Sequence, residues 1–187
     1  MLPRRTVRLL QVVVVLGSLA LSGSLPAAAA DPAGPLTVEA VPGGPVRGSA
    51  PMTVTLHLSG DLRNVIRKIP DRPADGPVAR LTLNGFKAPN GANVHVFLNF
   101  AQASAATGID DPHYVGAMSS FEDPAPNSPG DDIILDAAPT LRKLKKDGRI
   151  LPGDNLTVTL VVTPGSAPDD VSIPIDRVAL TIEPKAR

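Results

Sequence analysis

Apolar and polar residues alternate one-for-one through much of this chain. In Met52-Thr53-Val54-Thr55-Leu56-His57-Leu58, the residues Met52, Val54, Leu56 and Leu58 share one side, and Thr53, Thr55 and His57 the other. A period of two is the pattern of a half-buried strand. It returns in Val78–Leu83 and in Asn93–Phe100, where Val94, Val96, Leu98 and Phe100 form one face and His95, Phe97 and Asn99 the other. Asn84-Gly85 and Asn90-Gly91 supply turn chemistry between these two runs. Further strands are predicted at Tyr114–Phe121, Asp132–Leu135, Leu156–Thr163, Val171–Ile175 and Val178–Ile182. Glu122–Gly130 reads as an exposed loop. One helix is predicted, Pro139–Asp147, with Pro in its first turn and Gly148 after its end. Leu141 and Leu144 are its inward pair, and Lys143, Lys145 and Lys146 its wet side. Many short strands with Pro/Gly turns predict an all-β fold, an antiparallel β-sandwich of about seven to nine strands with one short helix. Val94, Val96 and Leu98 are expected inside it against Val158, Leu160 and Val162, which leaves His95 on the solvent side.

The start of the chain breaks the alternation. Arg4, Arg5 and Arg8 precede an apolar run, Leu9 to Leu25, that ends in Pro26 and Ala27-Ala28-Ala29-Ala30 before Asp31. This is the layout of a secretory signal over residues 1–30, cleaved to leave Asp31 first. The implied location is exported, periplasmic or extracellular, with no membrane attachment after cleavage. Residues 31–51 form a Pro/Gly-rich arm whose island Leu36–Val41 is able to add an edge strand. The sandwich then occupies 52–187.

Charge and composition remove several function classes. The chain has 18 Lys and Arg against 18 Asp and Glu, and without residues 1–30 the balance is 15 to 18. A mildly acidic chain with no basic run is a poor fit to nucleic acid or to an anionic membrane. With no Cys there is no disulfide, thiolate metal site, cysteine nucleophile or lipoprotein anchor. The fold rests on its core alone. Gly-x-Ser-x-Gly is absent, and a sugar site would want aromatic platforms that a chain with no Trp and one Tyr does not provide. Acids gather at Asp110-Asp111, Glu122-Asp123 and Asp131-Asp132 without the spacing of a calcium loop. The three histidines, His57, His95 and His113, are the candidate metal ligands, though no pair has a local ligand spacing. No cofactor is expected.

Several segments in order resemble a known module. Arg80-Leu81-Thr82-Leu83-Asn84-Gly85-Phe86, followed by Asn93-Val94-His95-Val96-Phe97-Leu98-Asn99, is similar to the opening hairpin of the C-terminal domain of polyphenol oxidases and tyrosinases. That family carries a Lys-Phe-Asp-Val-Phe-Val-Asn-like strand, of which this chain keeps the Val-Phe-x-Asn half. His113-Tyr114-Val115-Gly116-Ala117-Met118 resembles the family's Phe-Ala-Gly-Ser-Phe strand. Leu141–Leu144, Val158-Thr159-Leu160-Val161 and Val171-Ser172-Ile173 follow its order of short helix, strand and terminal hairpin. The resemblance runs from Val78 to Glu183, with an export signal where the family has its copper-binding catalytic domain.

The resemblance implies a sandwich that packs on a catalytic domain and covers its copper pocket. A coupled dicopper site takes six imidazoles and this chain has three, so the expected role is not that of an enzyme. It is a non-catalytic exported module acting by protein contact, capping or stabilising a tyrosinase-like type-3 copper oxidase. A shielding role asks for a bulky side chain that reaches the pocket, and Phe86 and Tyr114 are the candidates. The rival reading is a small-ligand or copper-binding protein built on His57, His95 and His113. A third is a cell-surface β-domain with no enzyme partner.

Overall fold

Ten strands and two helices follow one another in a computed structural model that describes residues 34–48, 50–125, 128–150, 155–163 and 170–184. The expected export signal, residues 1–30, and its cleavage point lie outside the described residues. The strands are β1 (Leu36–Ala40), β2 (Val46–Arg47), β3 (Met52–His57), β4 (Val78–Phe86) and β5 (Asn93–Leu98), then β6 (Tyr114–Ser119), β7 (Asp131–Asp136), β8 (Asn155–Thr163), β9 (Ser172–Ile173) and β10 (Arg177–Glu183). Helix α1 (Gly60–Arg67) follows β3, and α2 (Ala138–Lys146) follows β7. Two four-stranded antiparallel sheets result, in the orders β1-β10-β4-β7 and β3-β8-β5-β6, with a small β2-β9 ribbon beside them. The arrangement is a β-sandwich.

Alternation sets the register of each sheet. In the first sheet Val178 lies opposite Leu83, Leu180 opposite Leu81 and Ile182 opposite Ala79. In the second, Val94 lies opposite Val162, Val96 opposite Leu160 and Leu98 opposite Val158. Apart from Val162, which is half-buried, all of these are fully buried and form the core between the sheets. The inward set expected from the sequence is therefore the observed one, though β5 and β8 are neighbours in one sheet rather than partners across the core. A one-residue slip would turn every one of these side chains outward, which is why burial specifies the register so firmly.

Besides Phe100, which packs with Phe97 rather than on the face of Val94, Val96 and Leu98 because the chain has turned at Asn99, two features depart from the sequence reading. Helix α1 was not expected. Its Ser59 hydroxyl caps the Leu62 N–H at 3.3 Å, and Leu62 and Ile66 bury one face of a single amphipathic turn pair. The sandwich thus has two helices rather than one. The second departure is the outer face of the β3-β8-β5-β6 sheet, which was expected to be wet. Phe97, Ala103 and Val161 are buried there, with Phe100 and Tyr114 packed on them, beneath the chain that connects β5 to β6. The outer face of the other sheet is polar, with Thr37 bonded to Thr181 at 3.0 Å and the ion pairs Arg80–Glu183 and Arg177–Glu39.

Candidate functional site

The Val96-Phe97-Leu98-Asn99 stretch takes its shape at Asn99. Val96 and Leu98 face the core, Phe97 faces out, and Asn99 turns the chain away from β5 with a φ of 51°. Asn tolerates this left-handed conformation better than most residues because its short polar side chain bonds locally. Here the Asn99 amide donates to the carbonyls of Arg149 and Ile150, and its oxygen accepts the Thr157 N–H at 3.1 Å. One side chain thereby ties the exit of β5 to the end of α2 and the start of β8.

The chain leaving Asn99 folds back over Phe97 and brings two histidines into an aromatic cluster. The His113 ring stacks on Phe100 at 5.1 Å, and its Nδ1 donates to the Leu98 carbonyl at 2.7 Å. That bond fixes its tautomer and gives it a structural task. His95 meets Tyr114 edge-on at 5.5 Å and lies 6.3 Å from Phe97. Its Nδ1 is buried without a hydrogen-bond partner, and burial lowers its pKa. Burial pushes the Tyr114 phenol the other way, up. His57 stands apart at the end of β3, where its Nδ1 is 2.9 Å from the Asn155 side-chain oxygen. Among the described residues no group of three His, Asp or Glu side chains could hold a metal ion. The structure does not bring the three histidines together.

The opposite end of the sandwich carries the more open surface. Phe86 closes β4 and is only 5% exposed, a core residue whose edge lines a cleft of about 460 Å³. It does not project from a turn, and it could reach a partner only by leaving the core. Tyr114 is half-buried within the aromatic cluster. The aromatic that does project is Phe121, 84% exposed at the rim of the same cleft.

Phe121 stands on a pinned turn. Just before it, Ser120 accepts the Gly91 N–H at 2.9 Å and donates its own N–H to Ala92 at 3.1 Å. Just after it, the Asp123 carboxylate accepts the Asn90 N–H at 2.9 Å. The Asn90-Gly91 turn thus holds both flanks. The sequence carried a signal for this residue: Ser119-Ser120 and Glu122-Asp123-Pro124 enclose Phe121 in polar, turn-forming neighbours, where a core aromatic would have apolar ones.

The floor of the turn explains Gly130. Gly130 has a φ of +80°, and a Cβ placed there would lie 2.7 Å from the carbonyl carbon of Gly85. Two backbones cross where no side chain fits.

Solved structures of latent polyphenol oxidases are similar to this chain. Recombinantly expressed latent aurone synthase, a polyphenol oxidase, has 18% identity and a TM-score of 0.45, covering 75% of this chain and 26% of its own. Latent apple tyrosinase has 13% identity and a TM-score of 0.48, covering 74% of this chain and 27% of its own. The chain therefore spans about a quarter of the length of the structures it matches. No family model matches it, and no curated protein does. No helix among the described residues is long and apolar enough to cross a membrane.

Proposed function

We propose that this protein is a non-catalytic, exported β-sandwich that acts by protein contact, and that its partner is a type-3 copper oxidase of the tyrosinase kind. Phe121 carries the reading. A Phe side chain left in water forgoes roughly 1.5–3 kcal/mol of burial, and this one is 84% exposed while every other Phe is buried or half-buried. It is also held on both flanks, so little conformational freedom is lost when a partner pocket receives it. Aromatic residues in this setting are the usual anchors of interfaces. The choice of partner is supported by the order of segments from Val78 to Glu183 that resembles the family's shielding module.

The signal-like residues 1–30 support export, which would place the protein where a secreted oxidase works. Capping the oxidase needs no chemistry from this chain. It needs a rigid body, which the two-sided packing of the second sheet supplies, and a side chain that enters the copper pocket and keeps phenols out.

The test is affinity capture of the tagged protein from its own host, with the captured material assayed for copper and for catechol oxidation. The expected result is a copper-containing oxidase retained by the wild type and lost, at least tenfold, with Phe121→Ala. Capture without copper or oxidase activity, or equal retention by Phe121→Ala, overturns the reading.

A further inference from the structure

The two ends of the sandwich carry opposite charge. Strand β7 starts at Asp131 beside Phe86 and ends at Asp136, immediately before α2. At about 3.3 Å per residue it separates the two ends by roughly 17 Å. The end from which β7 starts holds Glu122, Asp123, Asp131 and Asp132, all exposed, against the half-buried Lys87 that lines the same cleft. The end that β7 reaches holds both helices. Lys145 on α2 donates to the Ile69 carbonyl at 2.7 Å and pairs with Asp71 at 3.3 Å, so the segment after α1 lies against α2.

That contact gathers charge from two distant stretches. Residues 60–72 and 142–149 together hold nine of the chain's 18 basic residues and three of its 18 acids. Arg67, Lys68, Arg72, Lys143, Lys146 and Arg149 are exposed. Cations in the last turn of α2 favour the helix dipole, which accounts for their place on that helix. It does not account for the segment that carries Arg67, Lys68 and Arg72 being tied to α2 through Ile69 and Asp71. An end with this excess of positive charge is complementary to an anionic surface from outside the molecule.

We propose that the surface is a second copy of this chain, seated head to tail, with the basic helical end of one molecule on the acidic end of the next. The two ends face away from each other, so one molecule cannot pair its own. A symmetric end-to-end dimer would set like against like, whereas a head-to-tail contact matches them and repeats into open chains or a ring. The contact is electrostatic and therefore sensitive to salt. A copy seated on the acidic end also covers the end that carries Phe121, so self-association and capture of a partner compete. The inference does not depend on the oxidase reading, since it concerns this chain alone.

The test is light scattering on the protein purified from the cells that make it. Salt is set at about 10 mM, where charges reach ~30 Å, and at about 1 M, where they reach ~3 Å. The expected result is an average mass at least twofold above monomer at low salt that returns to monomer at high salt. Two double variants follow, both at exposed positions: Glu122→Lys with Asp132→Lys, and Lys143→Glu with Lys146→Glu. Each alone should remain monomeric at low salt. Mixed, they keep one intact pair of ends and set Lys against Glu at the other, so association at low salt should return. A wild type that is monomeric at low salt, variants that associate as the wild type does, or a mixture that stays monomeric would each overturn the proposal.

Discussion

Truncating Phe97 to Ala tests whether the second sheet is packed on both of its faces. Phe97 is fully buried on the outer face, with its ring centroid 5.7 Å from Tyr114 and 6.4 Å from Phe100. Removing a buried phenyl ring costs about 3–5 kcal/mol, transfer plus cavity. For a folded body of about 150 residues each kcal/mol moves Tm by roughly 2–4 °C, so a fall of about 6–20 °C is expected. The inner face supplies the comparison, because Leu160 is fully buried there and Leu160→Ala should cost about 2–5 kcal/mol. Phe121→Ala, at 84% exposure, should stay within about 0.5 kcal/mol of wild type. Urea melts of the three variants give the energies, and unchanged slopes show that the denatured state is the same. A loss below about 1 kcal/mol for Phe97→Ala, the size of a surface change, would mean that the chain between β5 and β6 does not cover the sheet.

Gly130→Ala should destabilise by more than Gly148→Ala in the same melts. Both glycines have positive φ, but a Cβ at Gly148 meets open space and one at Gly130 meets the Gly85 backbone, so only the second adds a clash to the 1–2 kcal/mol or so of left-handed strain. Stability should fall as pH drops below about 6.5, where an unfolded imidazole titrates, because burial lowers the pKa of His95 and the folded state takes up its proton less readily. Urea midpoints for wild type and His95→Leu at about pH 7.5 and pH 5 check this, and an equal fall in both would assign the effect elsewhere. N-terminal sequencing of the exported product should begin at Asp31, whereas an intact Met1 in a membrane fraction would contradict cleavage.

The register of the core was legible because alternation leaves no choice. Val94, Val96 and Leu98 can be buried only with His95 and Phe97 pointing the other way, and the structure keeps that division. What alternation could not convey is that the other way is also partly dry. The clue was there in Val96-Phe97-Leu98 and Leu160-Val161-Val162, unbroken apolar runs of the kind strands show when covered on both faces. Helix α1 was legible too, in a Ser59 cap followed by Leu62, Val65 and Ile66 at helical spacing. Its brevity let the preceding strand pattern dominate.

Site residues were harder to read, for a physical reason. Phe86 and Phe121 both sit at strand ends next to turns, and only the long-range pairing of Phe86 with Asp131 on β7 decides that one is buried and the other free. The meeting of residues 60–72 with α2 is likewise invisible in sequence, since it depends on one lysine reaching across from position 145 to position 69.

The central claim is tested most directly by titrating this protein into a purified tyrosinase-like oxidase from the same host while following catechol oxidation. The account predicts a dose-dependent, saturable loss of activity that needs no chemistry from this chain, and a midpoint shifted at least tenfold to higher concentration by Phe121→Ala. Oxidation that continues unchanged at saturating protein, or inhibition that Phe121→Ala leaves intact, would contradict it.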